Sequence, residues 1–372
     1  MVKERNYGLD FLRVFSMLLV VIVHVLGQGG VLDSAVPGSA NYWVAWFIES
    51  ASICCVDCFA LISGYFLSAK RTKISTIASL WAQTLFYSVT LTLLFYFFFP
   101  ETSMDKFDVA FSFFPIMTKR YWYASAYIGM SIISPVLNVI IENAKKITME
   151  LIFIATLLIC CGFSLVFDPF HLGEGCSVIW LSLVYLLGGY FRKYDIVSKI
   201  NKCKGWFLFI SMAALALLNK FIIETFTTLP LIFEEVQNCL IDINSPTVLL
   251  AAVGLFVATA QTNVPKPFRK IISAFVPATL GVYLIHVAKP VWADVFEGFA
   301  KSFVNYNPLI MVLLVLGSSV AIYFVCSAID LVRQYLFKLL KINALFLLIE
   351  KLCERTLNKL CNKFNDEELL IK

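Results

Sequence analysis

The stretch "GLDFLRVFSMLLVVIVHV", Gly8 to Val25, decides how this chain is read. It is apolar and long enough, at about 1.5 Å per residue, to cover most of roughly 30 Å of hydrocarbon. Yet it carries Asp10, Arg13 and His24. A helix turns about 100° per residue, so Arg13 and His24 lie within roughly 20° of one another around the axis, and Asp10 sits about one turn before Arg13. The three ionisable groups therefore share one stripe. Lipid does not accept such a stripe, so it must face the interior of a helix bundle or a wet cavity. His24 lies about 16 Å along the axis from Arg13.

Composition points the same way. Hydrophobic residues make up 60% of the 372 and charged residues 15%, and 34 are Phe. The mean hydropathy of +0.82 lies far outside the soluble range. An all-α, polytopic integral membrane protein is expected. The net charge of +5 is modest and gives no sign of a nucleic-acid partner. There is no glycine-rich phosphate loop, no zinc-type cysteine spacing and no short-period repeat. The first apolar run has a basic flank, Lys3 and Arg5, but its internal charges and the lack of a small-x-small site favour an uncleaved span. Of eleven cysteines, Cys54, Cys55, Cys58, Cys160, Cys161 and Cys326 sit in apolar runs, where Cys acts as a small hydrophobe. Cys176 and Cys239 fall in loops where a bond between them is open, though no spacing supports it.

Ten spans are expected, near 8–27, 44–68, 74–99, 121–140, 148–166, 177–191, 205–225, 246–262, 271–288 and 307–332. With the N-terminus inside, fifteen Lys and Arg fall in inside segments, against five outside: Lys106, Lys119, Arg120, Lys289 and Lys301. That asymmetry fits the positive-inside pattern and puts both termini in the cytoplasm of a cell-membrane protein. Residues 1–336 read as one membrane domain. The tail, 337–372, repeats Leu345, Ile349, Leu352, Leu357, Leu360 and Phe364 at helical spacing, opposite Lys351, Arg355, Lys359 and Lys363. It reads as a basic amphipathic helix on the inner leaflet, with a partner-binding helix as the rival.

An ionisable group inside a membrane is a functional candidate first. An Asp10–Arg13 ion pair with a structural His24 is the plain alternative. His286, in "LGVYLIHV", lies at a depth in span nine similar to that of His24 in span one. His171, after Asp168 and Pro169 in an outside loop, reads as incidental. Asp57 lies mid-span in "CCVDCFALISGYF". Ser63 and Gly64 allow close helix approach, with packing the plain reading and substrate contact the other. "RYWYASAY" supplies Tyr121, Trp122 and Tyr123, either an interfacial aromatic belt or a platform for a sugar ring.

Together these segments resemble the membrane-bound acyltransferase 3 family over most of the chain. The family's Leu-Asp-x-Leu-Arg motif and its Arg-x10-His spacing correspond to Leu9, Asp10, Phe11, Leu12, Arg13 and His24. Its Phe-x-x-x-Ser-Gly motif is Phe59, Ser63, Gly64 and Tyr65. Trp122, Pro135 and Asn138 match its fourth span, Tyr185, Leu186, Gly188, Tyr190 and Arg192 its sixth, and Tyr283, Leu284 and His286 its ninth. One departure stands out. Many members carry a run of Arg soon after span two, whereas here only Arg71 and Lys73 appear before "STIASLWAQTLF". No appended extracytoplasmic hydrolase-like domain is expected.

The resemblance implies a membrane-bound O-acyltransferase. It would move an acyl group, often acetyl, from cytoplasmic acyl-coenzyme A to a hydroxyl of a cell-surface or exported polysaccharide or its lipid-linked precursor. His24 is then the general base or a transient acyl carrier, and Arg13 grips the donor phosphates. His286 positions the acceptor or shares the proton. Asp57 orients a His or a substrate hydroxyl. Asp10, Ser63, Trp122, Tyr123 and Tyr283 contribute to substrate binding, and Arg71 and Lys73 weakly to the donor. No metal and no permanently bound cofactor are implied; acyl-coenzyme A enters as donor substrate. The expected partners are that donor, a carbohydrate acceptor and the bilayer, with a homo-oligomer left open. The rival class is a proton-coupled transporter or flippase of a glycan precursor or small molecule, since buried Asp, Arg and His serve that too.

Overall fold

The computed structural model describes residues 5–70, 72–99, 101–102, 104–163, 168, 170–226 and 238–370; for 163 and 357–370 it describes the backbone alone. Among these residues there is no strand. The principal helices are α1 (Tyr7–Leu26), α2 (Ala40–Ser52), α3 (Cys55–Leu67), α4 (Ile74–Phe98), α5 (Trp122–Asn143) and α6 (Lys146–Ala155), which continues as π-helix over Thr156–Phe163. They are followed by α7 (Val178–Lys193), α8 (Lys202–Phe226), α9 (Pro246–Ala260), α10 (Lys266–Phe275), α11 (Thr279–His286), α12 (Pro308–Leu339) and α13 (Ile342–Leu370).

Among the described residues, seven stretches are long and apolar enough to cross a membrane: Tyr7–Ser34, Ala40–Leu67, Ile74–Phe98, Trp122–Asn143, Lys202–Phe226, Lys266–His286 and Pro308–Leu339. The chain is thus an all-α membrane protein, but the expected ten spans are not reached by that measure. The other three segments are helical and short: α6 has 10 residues before its π-turn, α7 has 16 and α9 has 15. Both α7 and α9 are largely buried. Helix α7 ends in Arg192 and Lys193, and α9 is capped by Ser245 and stops at Gln261.

Local chemistry sets the boundaries that matter for the site. Asn6 caps α1, its side chain accepting from the Leu9 N–H at 3.0 Å. Span two is two helices, with Ile53 and Cys54 between α2 and α3. Span nine is also broken. Val276–Ala278 form a 3₁₀ turn around Pro277, which has no N–H to continue the α-helical ladder. That break starts α11, whose last residue is His286. In α5, Pro135 leaves the Ser131 carbonyl without its helical partner, and the Ser134 hydroxyl donates to it at 2.8 Å.

Small residues bring the helices together. At Gly64 on α3 a Cβ would overlap the Tyr185 carbonyl oxygen of α7, and at Gly188 one would overlap Leu61 O. At Gly8 it would overlap Thr259 O, seating α1 on α9. A buried polar knot ties α12, α4 and α11. Asp330 accepts from Arg333 at 3.0 and 2.9 Å and from the Tyr87 hydroxyl at 2.8 Å, and Gly281 of α11 lies directly against it. Charge inside hydrocarbon is tolerable only when paired in this way.

The tail folds as the helix α13. It packs on α4 and α12, and Ser75 donates to Glu350 at 2.8 Å. The preceding helix α12 runs on to Leu339, past the boundary expected at 336. Cys176 and Cys239 are free thiols.

Gly64→Val is expected to destabilise the bundle, because its side chain meets backbone that cannot yield; overpacking costs about 1–3 kcal/mol or more. The thermal midpoint in detergent should fall clearly for Gly64→Val and not for Gly317→Ala, whose added Cβ meets nothing within 4 Å. Equal midpoints would refute the close α3–α7 approach.

Candidate functional site

His24, near the end of α1, and His286, at the end of α11, meet directly. His24 Nδ1 and His286 Nε2 are 2.8 Å apart. His286 Nδ1 lies 2.6 Å from the Val282 carbonyl oxygen. A carbonyl only accepts, so His286 Nδ1 carries the proton it donates. With both rings neutral, His286 Nε2 is then an acceptor and His24 Nδ1 must donate to it. His24 Nε2 is left as a bare lone pair. The edge of Trp292 closes one side of the His24 ring, with centroids 4.8 Å apart. Gln28 holds that tryptophan's backbone, donating to Trp292 O at 3.2 Å.

His24 borders two cavities. The smaller, about 180 Å³, is apolar and lined by Met17, Val20, Phe59, Cys55, Trp122, Tyr123 and Tyr283 among others. Its Met17 end lies four residues beyond Arg13 on α1, about 6 Å along the axis. The larger, about 550 Å³, is lined by Gln28, Glu49, Arg120, Trp122, Tyr283, Lys289 and Trp292 as well as His24. The break between α2 and α3 places Ile53 and Cys55 on the smaller cavity. Tyr283 holds its neighbour in place, its hydroxyl accepting from the Tyr123 N–H at 3.3 Å.

The larger cavity has a charged rim. Asp108 lies 2.9 Å from Arg120 Nη2 and 2.5 Å from Lys289 Nζ. Burial works to raise the Asp108 pKa. Hydrogen bonds from Lys289 and the Asp105 N–H, with the charges of Lys289 and Arg120, outweigh it and hold the carboxyl below its usual 3.8.

The structure gathers His24, Trp122, Tyr123 and Tyr283 around these cavities and sets His286 behind His24. His286 is buried and borders neither cavity. The other expected residues lie elsewhere. Asp10 is held between Arg5, 2.5 Å away, and Arg13, 3.6 Å away. Arg13 keeps part of its side chain exposed and lies within electrostatic reach of Tyr123. Asp57 is fully buried and borders neither cavity; its Oδ1 accepts from Trp180 Nε1 at 2.8 Å, and its Oδ2 has no hydrogen-bond partner. Ser63 bonds Phe59 O at 2.8 Å and the Tyr127 hydroxyl at 2.9 Å, a packing role. Lys73 is exposed at the start of α4, away from both cavities. Arg71 lies outside the described residues. No cluster of His, Cys, Asp or Glu among the described residues is placed to hold a metal ion.

Several lining residues escape a reading by sequence. Glu49 was findable, since it is an ionisable group within an apolar span. Trp292 and Lys289 sit beyond span nine and come back over His24 only through the turn after α11.

A family model described as an acyltransferase domain matches residues 6–328, nearly the whole chain. Searches of curated proteins and of solved structures returned no match.

The rim generates a pH test. A carboxyl whose folded pKa is depressed adds stability that is whole above its unfolded value and is lost as pH falls through the folded one. The wild-type thermal midpoint should therefore drop more steeply below about pH 4 than that of Asp108→Asn. Parallel curves from pH 3 to 7 would show that the rim pairs contribute nothing.

Proposed function

The chain belongs to the acyltransferase domain family, and on that premise we propose that it acylates a hydroxyl of a cell-surface or exported polysaccharide or its lipid-linked precursor. The donor is acyl-coenzyme A, with acetyl as the group to test first. On this reading the cell membrane is the site of action and both termini are cytoplasmic, as the charge asymmetry of the loops favours.

One observation carries the reading. A histidine whose proton order is set by a second histidine stands where two cavities meet. The acceptor hydroxyl donates to His24 Nε2 from the larger cavity. As that proton moves to Nε2, the acceptor oxygen attacks the thioester carbonyl carbon, whose acyl group occupies the smaller, apolar cavity. A tetrahedral intermediate forms, then the C–S bond breaks. The coenzyme A sulfur leaves and takes the proton from His24 Nε2. The products are an ester and a free thiol, and His24 returns to its starting state.

The other residues serve this step. His286 accepts from His24 Nδ1, which fixes the tautomer and supports the imidazolium formed in passing, as partners behind a reacting histidine do. Arg13, always charged, offers a planar fork to the donor's phosphates at the other end of the stripe. The pantetheine arm runs from there past Met17 to His24. Asp10 orients Arg13.

The test is transfer of labelled acetyl from acetyl-coenzyme A to surface glycan in membranes. His24→Gln keeps size and hydrogen bonding but removes the base, so the rate should fall by about 10²–10⁴ at normal protein level and donor binding. His286→Gln still accepts from His24 Nδ1 and should lose less, about 10–100-fold. A near-wild-type rate in His24→Gln would remove His24 from the chemistry.

A further inference from the structure

On the acyl-transfer reading, we infer that Glu49 binds the acceptor and holds its hydroxyl toward His24. Glu49 lies on α2 and borders the same larger cavity as His24. It is only 8% exposed, and its Oε2 has no hydrogen-bond partner. No ion pair among the described residues includes it.

The cations nearest in kind are already engaged. Arg120 and Lys289 border the cavity but pair with Asp108, and Lys220 pairs with Glu224 at 2.7 Å. A buried carboxyl with an empty oxygen is costly, and native proteins rarely keep one without a use. A carboxyl accepts and, when ionised, cannot donate, so its fitting partner is a donor such as a hydroxyl. A carboxyl oxygen flanked by two neighbouring hydroxyls is satisfied in full.

The rest of the wall selects the shape of that partner. Trp122 and Trp292 line the cavity and supply large aromatic surface there. Trp292 also touches His24, so a ring laid against it brings its edge to the base. Aromatic faces on one side and an open carboxyl on another suit a sugar ring, with C–H faces and hydroxyl edges. A simple lipid alcohol offers one hydroxyl and would leave Glu49 unmet.

The experiment uses a deletion strain complemented with the full chain, wild type, Glu49→Ala or Glu49→Gln. Alkali-labile acetyl esters on surface glycan are measured, together with membrane protein level and binding of labelled acetyl-coenzyme A to purified protein. Glu49→Ala should lose about ten-fold in ester content with level and donor binding unchanged, as for loss of one hydrogen bond in a buried site. Glu49→Gln, whose amide oxygen still accepts, should fall between the two. Ester content within two-fold of wild type in Glu49→Ala overturns the inference. So does a matching loss of donor binding, or failure of both variants to accumulate, since each makes Glu49 a folding or donor residue. If the wild type adds no ester over the deletion strain, the acyl-transfer reading fails first. If its esters fall on acceptors without sugar rings, the polysaccharide acceptor proposed above and the ring-holding role of Glu49 are both overturned.

Discussion

A hydrogen bond between two imidazoles holds this site together. His24 and His286 come from helices far apart in the chain, and His286 is buried away from both cavities, so its Nε2 depends on His24 for a partner. Their 2.8 Å contact fixes the axial register of α1 against α11. The Val282 carbonyl fixes the direction of the protons through the pair. Everything around it serves that placement. Pro277 starts α11 at the right point, Gly281 lets it sit against the Asp330 knot, and Gly8 lets α1 close on α9. A low-dielectric setting makes such a relay strong when satisfied and costly when broken.

His24 borders both an apolar pocket and a charged, aromatic one. On the proposed reading, a donor and an acceptor arrive separately through the two and meet at one nitrogen of His24. That arrangement suits a transfer between a donor and an acceptor that come from different sides of a membrane, and it excludes neither from water until both are bound.

Much of this was legible in the sequence because apolar surroundings make ionisable residues conspicuous. Asp10, Arg13, His24 and His286 stand out, and helical period with similar depth brings the two histidines to one level. The pattern does not say which groups pair. Asp57 reads as a candidate near the site; the structure gives its Oδ1 to Trp180 on α7 and sets it outside both cavities. Asp330 and Arg333 pass as the end of an apolar run, though they form the bundle's strongest buried knot. The count of ten spans is not confirmed where helices are short and buried among neighbours, as in α7 and α9. Glu49, an ionisable group in the same apolar span as Asp57, is legible by the same rule. Trp292 was hidden by a turn that hydropathy cannot trace.

The central claim is that donor and acceptor meet at His24 Nε2. The most direct measurement is a structure of the protein with a ketone analogue of acetyl-coenzyme A, in which a methylene blocks acyl release. The account predicts the analogue's phosphates at Arg13 and its carbonyl carbon in the smaller cavity, with room for an acceptor oxygen about 3–3.5 Å away beside His24 Nε2. An analogue bound with its carbonyl out of reach of His24, or with Arg13 empty, would contradict it.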